Sequence, residues 1–148
     1  EKAEIHITQK ELGALSATGA QKNIKLSADG SYVTLCIQDF NGKMDEIPKK
    51  PYTKWFDYDK IKKCPTIRTR QTGDYLTIAD GRGGMIRKSL KSYFVDQKIP
   101  RKERDRLPIL AEDDHVLWVM GYRISEYYKV TENTKRILKV QLIRKEFA

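Results

Sequence analysis

The sequence predicts an α+β fold of many short strands with two short helices. Apolar and polar residues alternate with a period of two in short runs along most of the chain. Helical spacing of apolar residues occurs around Leu90–Gln97, and Pro100 can open a second short helix over Arg101–Arg106. Strands and helices do not alternate regularly, which argues against βαβ units and a doubly wound nucleotide-binding sheet.

Residues 1–58 read as strands and turns. Glu4–Thr8 and Asn23–Ser27 alternate as half-buried strands do. Asp29-Gly30 supplies a turn before the β-branched and aromatic run Ser31–Gln38, and Asn41-Gly42 is a second turn signal. Pro48 and Pro51 make the segment from Ile47 a connector, because each lacks a donor and extends the residue before it. Thr66–Arg70 alternates strictly, which puts Arg68 and Arg70 on one face, and Tyr75–Ile78 resumes the strand after Gly73-Asp74.

Gly81, Gly83 and Gly84 then predict a loop with unusual backbone angles. Ser89 is the expected N-cap of Leu90–Gln97, whose Leu90, Tyr93 and Phe94 share a face. Pro100 is expected as the first residue of Arg101–Arg106. Asp113-Asp114 predicts a hairpin turn before His115–Met120, and Ile137–Leu142 alternates as a last strand.

The 148 residues suit one domain, or two small lobes, with 39% apolar and 33% charged side chains. We expect a single domain over 1–148, strand-rich over 1–58 and basic over 59–148. The chain begins at Glu1, so it is expected to be a processed or excised piece of something longer. No membrane-length apolar run or signal-peptide pattern is present. Cys36 and Cys64 have no zinc spacing; Cys36 reads as a small core hydrophobe, and free thiols point to a reducing cytoplasm.

The net charge is +9, and Lys60–Arg106 alone holds 14 Lys and Arg against 5 Asp and Glu, so the excess sits in the middle of the chain. Such a field favours a polyanion, and nucleic acid is the common one. Lys88 and Lys91 are helical neighbours, as are Arg101 and Arg104. With Arg68 and Arg70 they can form a basic platform while Leu90, Phe94, Ile99 and Leu107 turn inward. Arginine forks and lysine point charges both suit phosphate. Tyr75 and Tyr93 are the candidate stacking aromatics, with Tyr93 equally readable as core; Trp118 reads as core.

Catalytic chemistry finds no foothold. The Gly84–Ser89 segment ends in Lys-Ser but lacks the glycine that precedes the lysine in a P-loop, so NTP binding is not expected; Arg82, Arg87 and Lys88 could still touch a phosphate from a mobile loop. His6 and His115 lie far apart in strand patterns and do not make a metal site. Glu112, Asp113 and Asp114 read as solvated turn carboxylates. No nucleophile is set against a base.

Three stretches carry a resemblance: FDYDKIKKCPTIRTRQTGDYLTI, KSLKSYFVDQKIPRKERDRLPIL and HVLWVMGYRISEYYKVTENTKRILKV. The arginine pair with Gly73-Asp74, the turn Lys98–Arg101 and the run Gly121–Glu126 resemble, in order and spacing, the C-terminal domain of bacterial tRNA(Ile)-lysidine synthetases over roughly residues 47–142. The resemblance implies a layered arrangement around a β-sandwich, shared with a domain of phenylalanyl-tRNA synthetase. It implies a parent ligase that uses ATP, with Mg, to attach lysine to the wobble cytidine of an isoleucine tRNA.

The parent's ATP loop, of SGGxDS type, is absent here, so no cofactor and no catalytic residue is expected in this chain. The implied partners are tRNA, through its acceptor stem, and the parent's N-terminal catalytic domain. Carried over by position, Arg68, Arg70, Lys88, Lys91, Lys98, Arg101, Arg104 and Arg123 are the implied RNA-binding residues. Arg123 could instead pair internally with Glu126 or Asp74. Ser89 stands where a further lysine is expected and Ser92 where an aspartate is common, which leaves the loop contacts open. Two rival readings remain: a domain that positions the catalytic part without touching RNA, and a free-standing enzyme, which needs a pocket of convergent polar groups.

Overall fold

The structure is a computed structural model that describes residues 4–17, 19–27 and 30–144. Strands run over Ile5–His6 (β1), Lys22–Lys25 (β2), Tyr32–Asp39 (β3), Thr53–Asp57 (β4), Thr66–Arg68 (β5), Tyr75–Ala79 (β6), Met85–Ser89 (β7), Ile109–Glu112 (β8), His115–Val119 (β9) and Arg136–Ile143 (β10). Helices cover Gln9–Ala14 (α1), Leu90–Asp96 (α2) and Arg101–Arg104 (α3). This is the mixed α+β class that the alternating runs imply. The chain divides into two compact units that interleave in sequence: 1–8 with 61–128, and 9–60 with 129–148.

The second of these holds an antiparallel sheet in the order β2-β3-β10-β4. Register explains its packing. Leu138, Val140 and Leu142 on β10 stand opposite Ile37, Leu35 and Val33 on β3, so the buried side chains of both strands share one face. Phe56 joins them opposite Leu138 from β4. The other face carries Lys139, whose Nζ lies 4.4 Å from the centre of the Trp55 ring opposite it. Cys36 shares that outer side of β3 and is half-buried, so it is not the core residue expected. Of the Asp29-Gly30 turn, Asp29 lies outside the described residues, and Gly30 adopts φ +91°.

The first unit holds a six-stranded sheet, β1-β5-β8-β9-β6-β7, antiparallel except for a parallel bridge between Tyr75 and His115. Leu90, Tyr93 and Phe94 from α2, with Ile99, pack on Leu76, Ile109, Ala111, Val116 and Val119 of the sheet. Each such large side chain contributes about 1.5–3 kcal/mol on burial. Ser89 caps α2 as expected, its hydroxyl accepting from the Ser92 N–H.

Several expectations need correction. Pro100 is the residue before α3, not its first residue, and α3 stops at Arg104. Helix α1 was not foreseen; its Gly13 and single buried Leu12 give no apolar stripe. The glycine loop joins two strands, and the Lys-Ser segment after it is β7 rather than loop. Glu112 is buried rather than solvated at a turn: it accepts the Lys62 and Lys63 N–H groups at 2.5 and 2.6 Å and the Tyr128 hydroxyl at 2.6 Å. Of the two readings open for Tyr93, the structure shows the core one, with the hydroxyl held up in pKa by burial.

Candidate nucleic-acid interface

The site is built on one buried ion pair. Arg68 ends β5, a strand paired on both edges by β1 and β8 whose three residues are all buried. Its guanidinium donates to both carboxylate oxygens of Asp74, at 2.9 and 2.8 Å, and to the carbonyls of Thr69 and Asp113. The side chains are only 4% and 1% exposed. A charge taken this far from water survives only when its hydrogen bonds are met, and here they are. Asp74 also accepts the Gln71 N–H at 2.7 Å, and its backbone carbonyl accepts the Leu90 N–H. Gly73 closes this turn at φ +94°. The pair thus ties the 71–74 turn to the start of α2.

Above that turn lies a cleft of about 840 Å³, lined by the turn, the end of β7, the first turn of α2, and α3. Five cations line it: Arg70, Arg87, Lys91, Arg101 and Arg104. The lining carboxylates are Asp74 and Asp105, and both are engaged. Arg70 donates to Asp105 at 3.0 and 2.9 Å and lies 5.7 Å from the Phe94 ring centre. Arg104 is oriented by a 2.6 Å bond from its Nε to the Ile99 carbonyl. Lys91 and Arg101 are exposed and form no ion pair among the described residues. The cleft is therefore cationic after its own carboxylates are satisfied.

One wall contains a column of planar groups. Tyr75 stacks on His115 with ring centres 4.5 Å apart and planes 20° apart. The Arg87 guanidinium carbon lies 4.2 Å from the Tyr75 ring centre. Both groups cannot occupy one ring face, so Tyr75 is sandwiched between them. His115 Nε2 is 3.1 Å from the Ser125 hydroxyl and 3.3 Å from that of Thr77. Burial lowers its pKa, Glu112 opposes that shift, and Arg87 adds to it. His115 is thus a satisfied, neutral ring that supports Tyr75.

The structure brings together Arg70, Lys91, Arg101 and Arg104 of the expected residues. Arg68 is a correction: it is a buried strut and cannot reach a phosphate. Arg68 and Arg70 also do not share a face, because the strand ends between them. Lys88 is bound to Asp96 outside the cleft lining. Lys98 is exposed after α2 with φ +56°. Arg123 is exposed away from the lining, and the Asp74 carboxylate is taken by Arg68 rather than by it. Arg87 and Tyr75 were read as a loop cation and an exposed aromatic; the strand pairing Thr77↔Arg87 is the signal that could have joined them.

The glycine loop offers no triphosphate cradle. Asp80 accepts the Arg82 and Gly84 amides at 2.7 and 3.0 Å, so a carboxylate already fills the place of an anion. Among the described residues no three His, Cys, Asp or Glu side chains gather as a metal site, and no helix is long and apolar enough to cross a membrane.

The sequence model of the TilS substrate C-terminal domain matches residues 66–142, just over half of the chain. The chain belongs to that family. Similar proteins include the tRNA(Ile)-lysidine synthase of Caldanaerobacter subterraneus subsp. tengcongensis, 42% identical over 99 residues that cover 67% of this chain and 21% of that protein. That of Clostridium perfringens is 37% identical over 117 residues, covering 79% and 24%. A crystal structure of a TilS C-terminal domain superposes with a TM-score of 0.58 at 25% identity, over 83% of this chain and 96% of that one. The chain spans about a fifth of the length of such relatives. All of the cleft lies within the matched segment.

Proposed function

We propose that residues 1–148 act as one C-terminal module that holds tRNA for a lysidine-forming ligase. The observation that carries this reading is the cleft, where Arg87, Lys91, Arg101 and Arg104 face solvent-filled space with no carboxylate to neutralise them. Cations arranged in this way bind phosphates and release counterions, which gives affinity with little base specificity. The ligase chemistry is proposed from the relatives, whose printed name is tRNA(Ile)-lysidine synthase. ATP, Mg and lysine belong in this reading to the rest of the parent, as does the wobble cytidine. The acceptor stem is the proposed contact, and the cytoplasm the proposed location.

A salt titration tests the reading. The chain should bind isoleucine tRNA with log K falling linearly against log salt, with a slope of about −3 to −4 if four phosphates are contacted. Absence of binding at low salt, together with tight association to the parent's catalytic part, would move the module to a purely positioning role.

A further inference from the structure

We propose that the cleft receives an unpaired nucleotide, whose base caps the His115–Tyr75–Arg87 column on the outer face of the Arg87 guanidinium and whose phosphate lies among Lys91, Arg101 and Arg104. This deepens the tRNA-holding reading and rests on it.

The shape of the site favours this ligand over duplex backbone alone. A duplex presents a broad convex ridge, whereas about 840 Å³ of concave space is the size that encloses a small organic group. The column supplies what a base needs. Its inner end is fixed, because His115 is half-buried and bonded to Thr77 and Ser125. Its middle, Tyr75, is held between two partners. Its outer end is an exposed arginine on an edge strand, β7, with no carboxylate partner among the described residues.

Guanidinium planes stack on bases, and unstacked bases are what proteins read in RNA. The Arg87 guanidinium is held over the Tyr75 ring, its carbon 4.2 Å from the ring centre, rather than paired with a carboxylate among the described residues. Lys91 on α2 and Arg101 on α3 supply the anion side within the same cleft. A base still paired in a helix could not reach the column, so the nucleotide must come from a strand end, bulge or loop.

The full chain is titrated with two RNA hairpins that differ only in a short 3′ single-stranded tail. The tailed RNA should bind roughly tenfold tighter, the scale of stacking one base. A 2-aminopurine in the tail should lose fluorescence on binding. Arg87→Lys, which keeps the charge and loses the plane, should abolish the preference for the tailed RNA and the quenching. Tyr75→Phe should retain both, since it keeps the ring.

Equal affinity of the wild-type chain for both RNAs would overturn the proposal and leave the tRNA-holding reading intact. A preference that survives Arg87→Lys would also overturn it. Failure to bind either hairpin or tRNA would remove both readings together.

Discussion

Arg68 and Asp74 illustrate how a basic residue can be misread at the scale of a single side chain. Alternation in Thr66–Arg70 is visible in the sequence, but it does not tell which face is solvated, nor that β5 has neighbours on both sides. The two arginines therefore part company. Arg68 holds the turn, and Arg70 faces the cleft. Removing Arg68 would strand a buried carboxylate. Arg68→Ala should cost about 3–5 kcal/mol of unfolding free energy, read as a lower urea midpoint. A variant of full stability with weakened tRNA binding would return Arg68 to the contact surface.

His115 yields a pH prediction of definite sign. Its folded pKa is depressed below 6.5, first by burial, so the folded chain binds fewer protons there than the unfolded chain. Its contribution is thus complete above the unfolded pKa of about 6.5 and is lost as pH falls from there toward the folded value. Between pH 7 and 5, stability should fall with a slope of at most about 1.4 kcal/mol per pH unit from this group. His115→Gln should flatten that part of the profile; superimposable profiles would show that the ring does not titrate in this range.

At the scale of elements, α2 was legible and β7 was not, for physical reasons. The start of α2 has a hydroxyl cap and three core residues at helical spacing, each a local signal. Strand β7 lies at a sheet edge with Met85, Ile86 and Arg87 all exposed, so burial imprints no alternation on it. Only its pairing with β6 defines it, and that pairing is set by the loop Asp80 organises. The cleft was missed for the same reason, since its walls come from β7, α2, α3 and a turn that meet only in space. The cap carries the element-level prediction. Ser89→Ala should lower stability by about 1 kcal/mol through the lost bond to the Ser92 amide, measurable by denaturant unfolding. Because Lys91 sits in the first turn, a much larger loss of tRNA affinity than of stability would show that the cap also orients the site.

For the whole molecule, net charge is a poor guide and its arrangement a good one. The sequence placed all of the +9 excess between Lys60 and Arg106. Folding redistributes it. Residues 1–8 with 61–128 contain 15 Lys and Arg against 11 Asp and Glu, and residues 9–60 with 129–148 contain 14 against 9, so the two units are almost equally basic. In the first unit the carboxylate of Asp74 is buried against Arg68, that of Asp105 pairs with Arg70 at the surface, and the remaining cleft cations stand together. Two double variants that remove the same charge separate arrangement from total. Lys91→Gln with Arg101→Gln should weaken tRNA binding by at least about tenfold and reduce the salt slope by about two. Lys25→Gln with Lys49→Gln, both exposed and neither lining the cleft, should change the slope by little. Equal losses from the two pairs would mean that tRNA responds to the summed charge of the molecule, and the cleft would then have no special claim to the RNA.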